Sequence, residues 1–200
     1  MNMTKTRFLL AVVALLAAFG ASAQAPGPDE LVRMVTTDVL DTIQSDKELQ
    51  AGDRKKALAL AEQKVLPHID FRHAAQLALG KGWSTATPAQ QDQLVAEFRA
   101  MLVRIYSNAI DVYRGQTMRV LPAIYAPGDA EVTVRNQYVK YGQPPLSVDY
   151  AMRRTAEGWK IYDIVVGGVS LVLTYRSEFS QVLRQSGVEG LIGRLVEKNR

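Results

Sequence analysis

The sequence predicts an α+β fold: a helical N-terminal half, a four-stranded antiparallel sheet, and a helical C-terminus returning to the sheet. Three observations predict it. Apolar residues recur every three to four positions up to about residue 114. Between Thr117 and Val166 the period falls to two, and from Ser170 it returns to the helical spacing.

Taken in order, Pro28 and Asp29 open a first helix whose stripe, Leu31, Val35, Val39 and Ile43, keeps the i, i+4 spacing of one face. The polar stretch 44–52 ends it. Asp53 caps a second helix with Ala57, Leu60, Ala61 and Val65 inward, stopped by Pro67. Asp70 caps a third, short helix ending near Gly80. Thr87-Pro88-Ala89-Gln90 is a capping box with proline at the first helical position. The helix it starts carries Leu94, Phe98, Met101, Leu102, Ile105 and Tyr106 on one stripe and runs to about Arg114, where Gly115 breaks it.

Residues 118–125 read as the first strand, closed by a Pro127-Gly128-Asp129 turn. Residues 131–140 form the second, with Val132 and Val134 on one side and Thr133 and Arg135 on the other. After the turn Tyr141-Gly142-Gln143-Pro144, a third strand alternates Leu146, Val148, Tyr150 and Met152 with Ser147, Asp149, Ala151 and Arg153. Glu157-Gly158 leads into a fourth, residues 159–166. Short turns between successive strands imply an antiparallel meander. Gly167-Gly168 then punctuates. A helix over 170–185 presents Val172, Tyr175, Phe179 and Val182, and past Gly187 a last short helix carries Leu191, Ile192 and Leu195.

The first 23 residues stand apart. Lys5 and Arg7 precede an uncharged apolar run, and Ala21-Ser22-Ala23 offers the small-x-small pattern of a signal-peptidase site, so residues 1–23 are expected to be a cleaved signal peptide. The run is about 12 residues, short of the roughly 20 that a membrane span needs. Residues 24–200 suit one domain. The expected compartment is the periplasm of a Gram-negative-type bacterium.

The chain has no Cys, which excludes a disulfide framework, a lipoprotein anchor, thiolate metal ligands and cysteine nucleophiles. The formal net charge of +4 loses Lys5 and Arg7 with the leader, and the remaining +2 argues against nucleic acid as a partner. No basic run interleaved with aromatics is present. The chain lacks G-x-S-x-G, G-x-G-x-x-G, a P-loop and H-E-x-x-H, and Gly80-Lys81-Gly82 has too few glycines to cradle phosphate. His68, Asp70 and His73 match no strong metal spacing, and Asp70 is better used as a helix cap. Asp163, inside an apolar strand, reads as an anchor for the Gly167-Gly168-Val169-Ser170 turn. Neither an enzyme, a metal site nor a cofactor is expected.

A longer pattern then emerges. Trp159-Lys160-Ile161-Tyr162-Asp163-Ile164 is followed by Gly168-Val169-Ser170-Leu171-Val172, Tyr175-Arg176-Ser177-Glu178-Phe179 and Gly187-Val188-Glu189-Gly190-Leu191. Upstream stand Leu79-Gly80-Lys81-Gly82-Trp83, then Thr87-Pro88-Ala89-Gln90-Gln91 and Phe98. In these stretches the chain resembles the MlaC family, also called the toluene-tolerance Ttg periplasmic proteins. The resemblance implies a nuclear-transport-factor-two-like fold, a curved sheet with helices over one face, and a single lipid-binding domain over 24–200. It implies a phospholipid carrier that maintains outer-membrane lipid asymmetry, with phospholipid as cargo. Its partners would be an outer-membrane lipoprotein–porin complex and an inner-membrane ABC transporter with its substrate-capturing ring. The protein itself is expected to be a monomer.

Faces choose the residues expected to line such a pocket. Val148, Tyr150 and Met152 share one side of the third strand, and Val132 and Val134 one side of the second. Phe98, Leu102 and Tyr106 lie along the long helix; Val172, Tyr175 and Phe179 lie on the helix after the glycine pair. Ile161 and Ile164 fall on opposite faces of a regular strand, so Ile161, which shares a face with Trp159, is the inward one unless a bulge intervenes. Periodicity alone also allows a protein-binding periplasmic adaptor with a filled core, or an enzyme on the same scaffold built on Asp163 or the His68/His73 pair.

Overall fold

The computed structural model describes residues 25–106, 117–140 and 142–200. The expected leader, the helical stretch beyond Tyr106 toward Arg114, and Tyr141 of the third turn lie outside the described residues.

The helical half forms because its start and stop signals are local. Helix α1 (Pro28–Ser45) begins on proline and acidic residues, with the Gly27 N–H donating to Glu30 Oε2. The stretch 44–52 does more than end it. The Asp46 carboxylate accepts from the backbone N–H groups of Glu48 and Leu49 and starts α2 (Lys47–Ala51). Leu49 is thereby buried against Val39, Ala57 and Leu60. Asp53 caps α3 (Arg54–Lys64) through the Lys56 N–H, and Asp70 caps α4 (Phe71–Leu79) through the His73 N–H. A short α5 (Lys81–Thr85) follows. The capping box of α6 (Pro88–Tyr106) closes as the residues demand: the Thr87 N–H donates to Gln90 Oε1, and the Gln90 N–H donates to Thr87 Oγ1.

The sheet is antiparallel throughout, but it holds six strand segments where four strands are expected: β1 (Thr117–Val120), β2 (Glu131–Val134), β3 (Asn136–Val139), β4 (Leu146–Thr155), β5 (Gly158–Val166) and β6 (Val169–Ser170). The order is β1-β3-β4-β5-β6, with β2 also on β4. The extra segments have physical causes. β2 and β3 keep one register against β4, from Glu131↔Arg153 to Tyr138↔Leu146. They part at Arg135 because the Asn136 N–H donates to the Asp149 carboxylate instead of a ladder carbonyl. β6 exists because Gly167 and Gly168, both at positive φ (56° and 86°), fold the chain back so that Val166 meets Val169. β1 stops at Val120 rather than at Tyr125; the Leu121 N–H still reaches the Arg135 carbonyl, and Pro122 has no N–H to continue.

The bulge anticipated as the exception is present. Ala151 pairs with Asp163 but Met152 pairs with Ile161, so Tyr162 is the additional residue in β5. That insertion restores phase and puts Ile161 and Ile164 on the same face.

Helix α7 (Leu171–Asn199) bends at Gly187, whose φ of 65° and ψ of −166° are non-helical; the expected pair of helices is this kinked one. Two main cores result. Leu31 and Val32 of α1 pack on the apolar sheet face against Val120, Val134, Met152 and Trp159. Helices α4, α6 and α7 form a second core around Leu94, Phe98, Met101, Phe179, Leu191 and Leu195. Asp163 ties this bundle to the sheet. Its carboxylate accepts from the Ser170 hydroxyl and the Val172 N–H at the start of α7, and from its own neighbour's Ile164 N–H.

Candidate functional site

The alternation of β4 places Val148, Tyr150 and Met152 on the face that α1 covers, and pairing brings Val134 and Ile164 beside Tyr150 and Val166 beside Val148. Burial changes along that face. At the α1 end Val134 and Met152 have no exposed surface. Further along, Val148, Tyr150 and Ile164 are half-buried, and at the far end Leu146 (42%) and Val169 (61%) are open to solvent. The apolar face is thus a trough, closed by α1 at one end and open at the other. Leu173 in the first turn of α7 (60% exposed), and Ile105 and Tyr106 at the end of α6, are further exposed apolar side chains. Tyr106 is hydrogen-bonded to Tyr175, which brings the ends of α6 and α7 together; burial, with that bond second, raises the pKa of the Tyr175 hydroxyl.

A family model, described as MlaC protein, matches residues 33–197. The chain belongs to the MlaC family. It is 25% identical over 179 residues to the toluene tolerance protein ttg2D of Pseudomonas putida, covering 88% of this chain and 82% of that one. It is 19% identical over 171 residues to the intermembrane phospholipid transport system binding protein MlaC of Haemophilus influenzae, covering 84% and 80%. Among solved structures it is similar to a phospholipid-binding protein of Ralstonia solanacearum in complex with a phospholipid, with a TM-score of 0.79 and 36% identity over 87% of this chain and 97% of that one.

Within this MlaC-family fold the residues expected to line a pocket divide into two groups. Val132, Val134, Val148, Tyr150, Met152 and Ile161 share the sheet face. Phe98, Leu102, Val172, Tyr175 and Phe179 belong to the helical core, with Tyr106 exposed at its edge. A side chain with no accessible surface borders no space wide enough for water. Phe98 and Phe179, at 0% and 1%, are in that position; Phe98 meets the Tyr175 and Phe179 rings edge-on at 5.4 Å each. Val134 and Met152 are likewise solid. Val148, Tyr150, Val132, Ile161 and Leu102 keep accessible surface.

Sequence reasoning passes over three features of the trough. Ile164 joins it through the bulge, a non-local event. Val166, read as the last residue of the fourth strand, and Val169, read as part of a turn, form its open end. Tyr138 lies on its floor, and its hydroxyl meets that of Tyr150 at 3.2 Å; carrying the alternation of Val132 and Val134 four residues further was signal enough to find it.

The titratable cluster serves structure. Asp70 caps α4 and also pairs with Arg153 at 3.2 Å. His73 stands edge-on to Tyr162, with ring centroids 5.0 Å apart. His68 is half-buried; burial and then the nearby Lys160 lower its pKa. Among the described residues no group of three or more His, Asp or Glu is placed to hold a metal ion, and no helix is long and apolar enough to cross a membrane.

Proposed function

We propose that this chain is an exported phospholipid carrier of the periplasm. It holds acyl chains along the half-open apolar face of the sheet, between Val148, Tyr150 and Ile164 on one side and Leu102, Tyr106 and Val172 at the ends of α6 and α7 on the other. The observation that carries the reading is the fall in burial along one continuous apolar face, from solid core at Met152 to the exposed rim at Leu146 and Val169. A protein of similar fold and 36% identity that was solved with a phospholipid supports the choice of ligand.

The physics suits a carrier without catalytic groups. Each methylene hidden from water is worth about 0.8 kcal/mol, so roughly 30 of them represent ~24 kcal/mol. That exceeds the practical ceiling of non-covalent affinity, about 18–21 kcal/mol. Water is therefore the wrong reference state: lipid moves between bilayer hydrocarbon and pocket hydrocarbon, an exchange close to neutral. In this reading residues 24–200 act as a single lipid-binding domain. They exchange cargo with an outer-membrane lipoprotein–porin complex and with an inner-membrane ABC transporter and its substrate-capturing ring, and so preserve outer-membrane lipid asymmetry.

Protein purified without detergent is expected to release phospholipid on organic extraction, identified by mass spectrometry at close to one lipid-binding equivalent per chain. Recovery of none, together with failure to take lipid from liposomes, overturns the proposal.

A further inference from the structure

The open end of the trough carries its apolar character out to the protein surface. There the β3–β4 and β5–β6 turns lie side by side, tied by the Gly167 N–H donating to the Ser147 carbonyl. Residues 142–146 and 166–169 are all exposed. Val166 pairs with both Val148 and Val169, and Leu146 stands two residues before Val148 on the same strand. Leu146, Val166 and Val169 therefore share the face of the trough and form its lip. Between the two valines the chain is Gly167-Gly168, and the neighbouring turn holds Gln143-Pro144-Pro145. Residues 141–148 and 164–175 contain no Asp, Glu, Lys, Arg or His. Exposed apolar side chains scattered singly are ordinary, whereas ones gathered on an uncharged tip mark an interaction surface.

The charges that border this lip say what it meets. The neighbouring carboxylates are engaged within the fold. Asp149 accepts from the Asn136 N–H and the Ser147 hydroxyl, and Asp163 from the Ser170 hydroxyl and the Val172 N–H. Glu178 pairs with Lys198. The neighbouring cations are exposed and form no ion pair among the described residues. They are Lys140, whose carbonyl closes the β3–β4 turn, and Arg176, whose guanidinium lies over Gly80. Arg176 is five residues into a helix that leaves directly from β6, a rise of roughly 8 Å. An aliphatic lip flanked by cations complements a bilayer leaflet that holds anionic phospholipid, negative at the headgroups and apolar beneath them. Long cationic side chains suit such a boundary, because their stems lie along apolar surface while their heads reach the phosphates.

We propose that this lip settles on an anionic phospholipid bilayer, with Leu146, Val166 and Val169 in the headgroup layer and Lys140 and Arg176 against its phosphates. The trough then opens onto the leaflet, and an acyl chain passes between the two without crossing open water. Bilayer binding stands apart from the carrier reading; its use in loading and release rests on that reading. The contact is shallow and reversible, since three aliphatic side chains and two cations are a small anchor. Each cation close to a negative leaflet is worth roughly a fivefold gain in partition, and that gain shrinks as salt rises.

Vesicle sedimentation at low salt tests it, on the chain without residues 1–23, whose apolar run would itself bind lipid. The protein is expected to sediment with vesicles equimolar in phosphatidylcholine and phosphatidylglycerol, and far less with phosphatidylcholine alone. The double variant Lys140→Gln/Arg176→Gln should lower partition by roughly tenfold or more, and Leu146→Asp/Val169→Asp should lower it at least as far. Ile124→Asp, at a side chain 95% exposed in the loop beyond the far end of β1, should bind as the wild type does. Because the chain has no Cys, Val169→Cys and Ile124→Cys each take a single polarity-sensitive fluorophore. With the mixed vesicles the label at 169 should shift to the blue and the label at 124 should not, and the shift should vanish once the vesicles are spun away. Failure of the wild type to sediment with mixed vesicles overturns the proposal and leaves the lip to a protein partner or a second copy; equal weakening by Ile124→Asp also overturns it. A blue shift that outlasts removal of the vesicles, without sedimentation, comes from loaded cargo: it overturns the bilayer contact and supports the carrier reading. Sedimentation as expected with no lipid ever loaded supports the contact and sinks the carrier reading instead.

Discussion

Val148→Arg is expected to give a folded protein that carries no phospholipid. Val148 is half-buried and pairs with Val166 at the open end of the trough. In the empty protein an arginine there extends its stem along the apolar face and keeps its guanidinium in rim water. An acyl chain lying in the trough removes that water, and a buried guanidinium without a partner costs several kcal/mol. The penalty thus falls on the loaded state alone. About 3 kcal/mol or more corresponds to a loss of at least ~100-fold in affinity. Lipid extracted per mole of protein should fall to background while the thermal transition moves by only a few degrees. Thr133→Arg, on the exposed opposite face of the neighbouring strand, should load as the wild type does. Equal loading of Val148→Arg and Thr133→Arg would show that the lipid lies elsewhere.

Phe98→Ala is expected to act in the reverse way, on stability more than on loading. Phe98 is fully buried between the Tyr175 and Phe179 rings. Truncating a solid core phenylalanine costs about 3–5 kcal/mol through lost transfer energy and the cavity left behind. For a chain of this size that lowers the melting temperature by about 10 °C. The fraction that remains folded should keep its lipid. A mild loss of stability with strongly reduced loading would make Phe98 part of the lining. The two variants separate two residue types that share the same apolar spacing in the sequence.

That separation also marks what was legible in the sequence. The caps of α3, α4 and α6 are local chemistry, a side-chain oxygen within three residues of the N–H it serves, and each is where the residues put it. The anchoring role of Asp163 was legible for the same reason, since Ser170 and the turn before it lie close by in the chain. The sheet's irregularities were not. The bulge at Tyr162 depends on how β5 meets β4, and the break at Arg135 depends on the carboxylate of Asp149 across the strand pair. Helix α2 was hidden because Leu49 is its only buried residue, too little for a periodic signal. Solid core and open trough were indistinguishable by spacing. Phe98 and Val148 both sit at regular apolar positions, and only packing from distant segments makes one inaccessible and leaves the other half open.

The central claim is that hydrocarbon tails lie along the apolar face between the ends of α6 and α7 and the open end of the sheet. A phospholipid with a diazirine in its acyl chain, loaded into the unmodified protein and photolysed, reads this directly once the labelled peptides are mapped by mass spectrometry. Adducts are predicted in β4 around Val148 and Tyr150, in β5 around Ile164 and Val166, and in the helices near Leu102 and Val172. Adducts confined to the polar face around Thr133 and Arg135, or to the Gly190–Lys198 end of α7, would contradict the account.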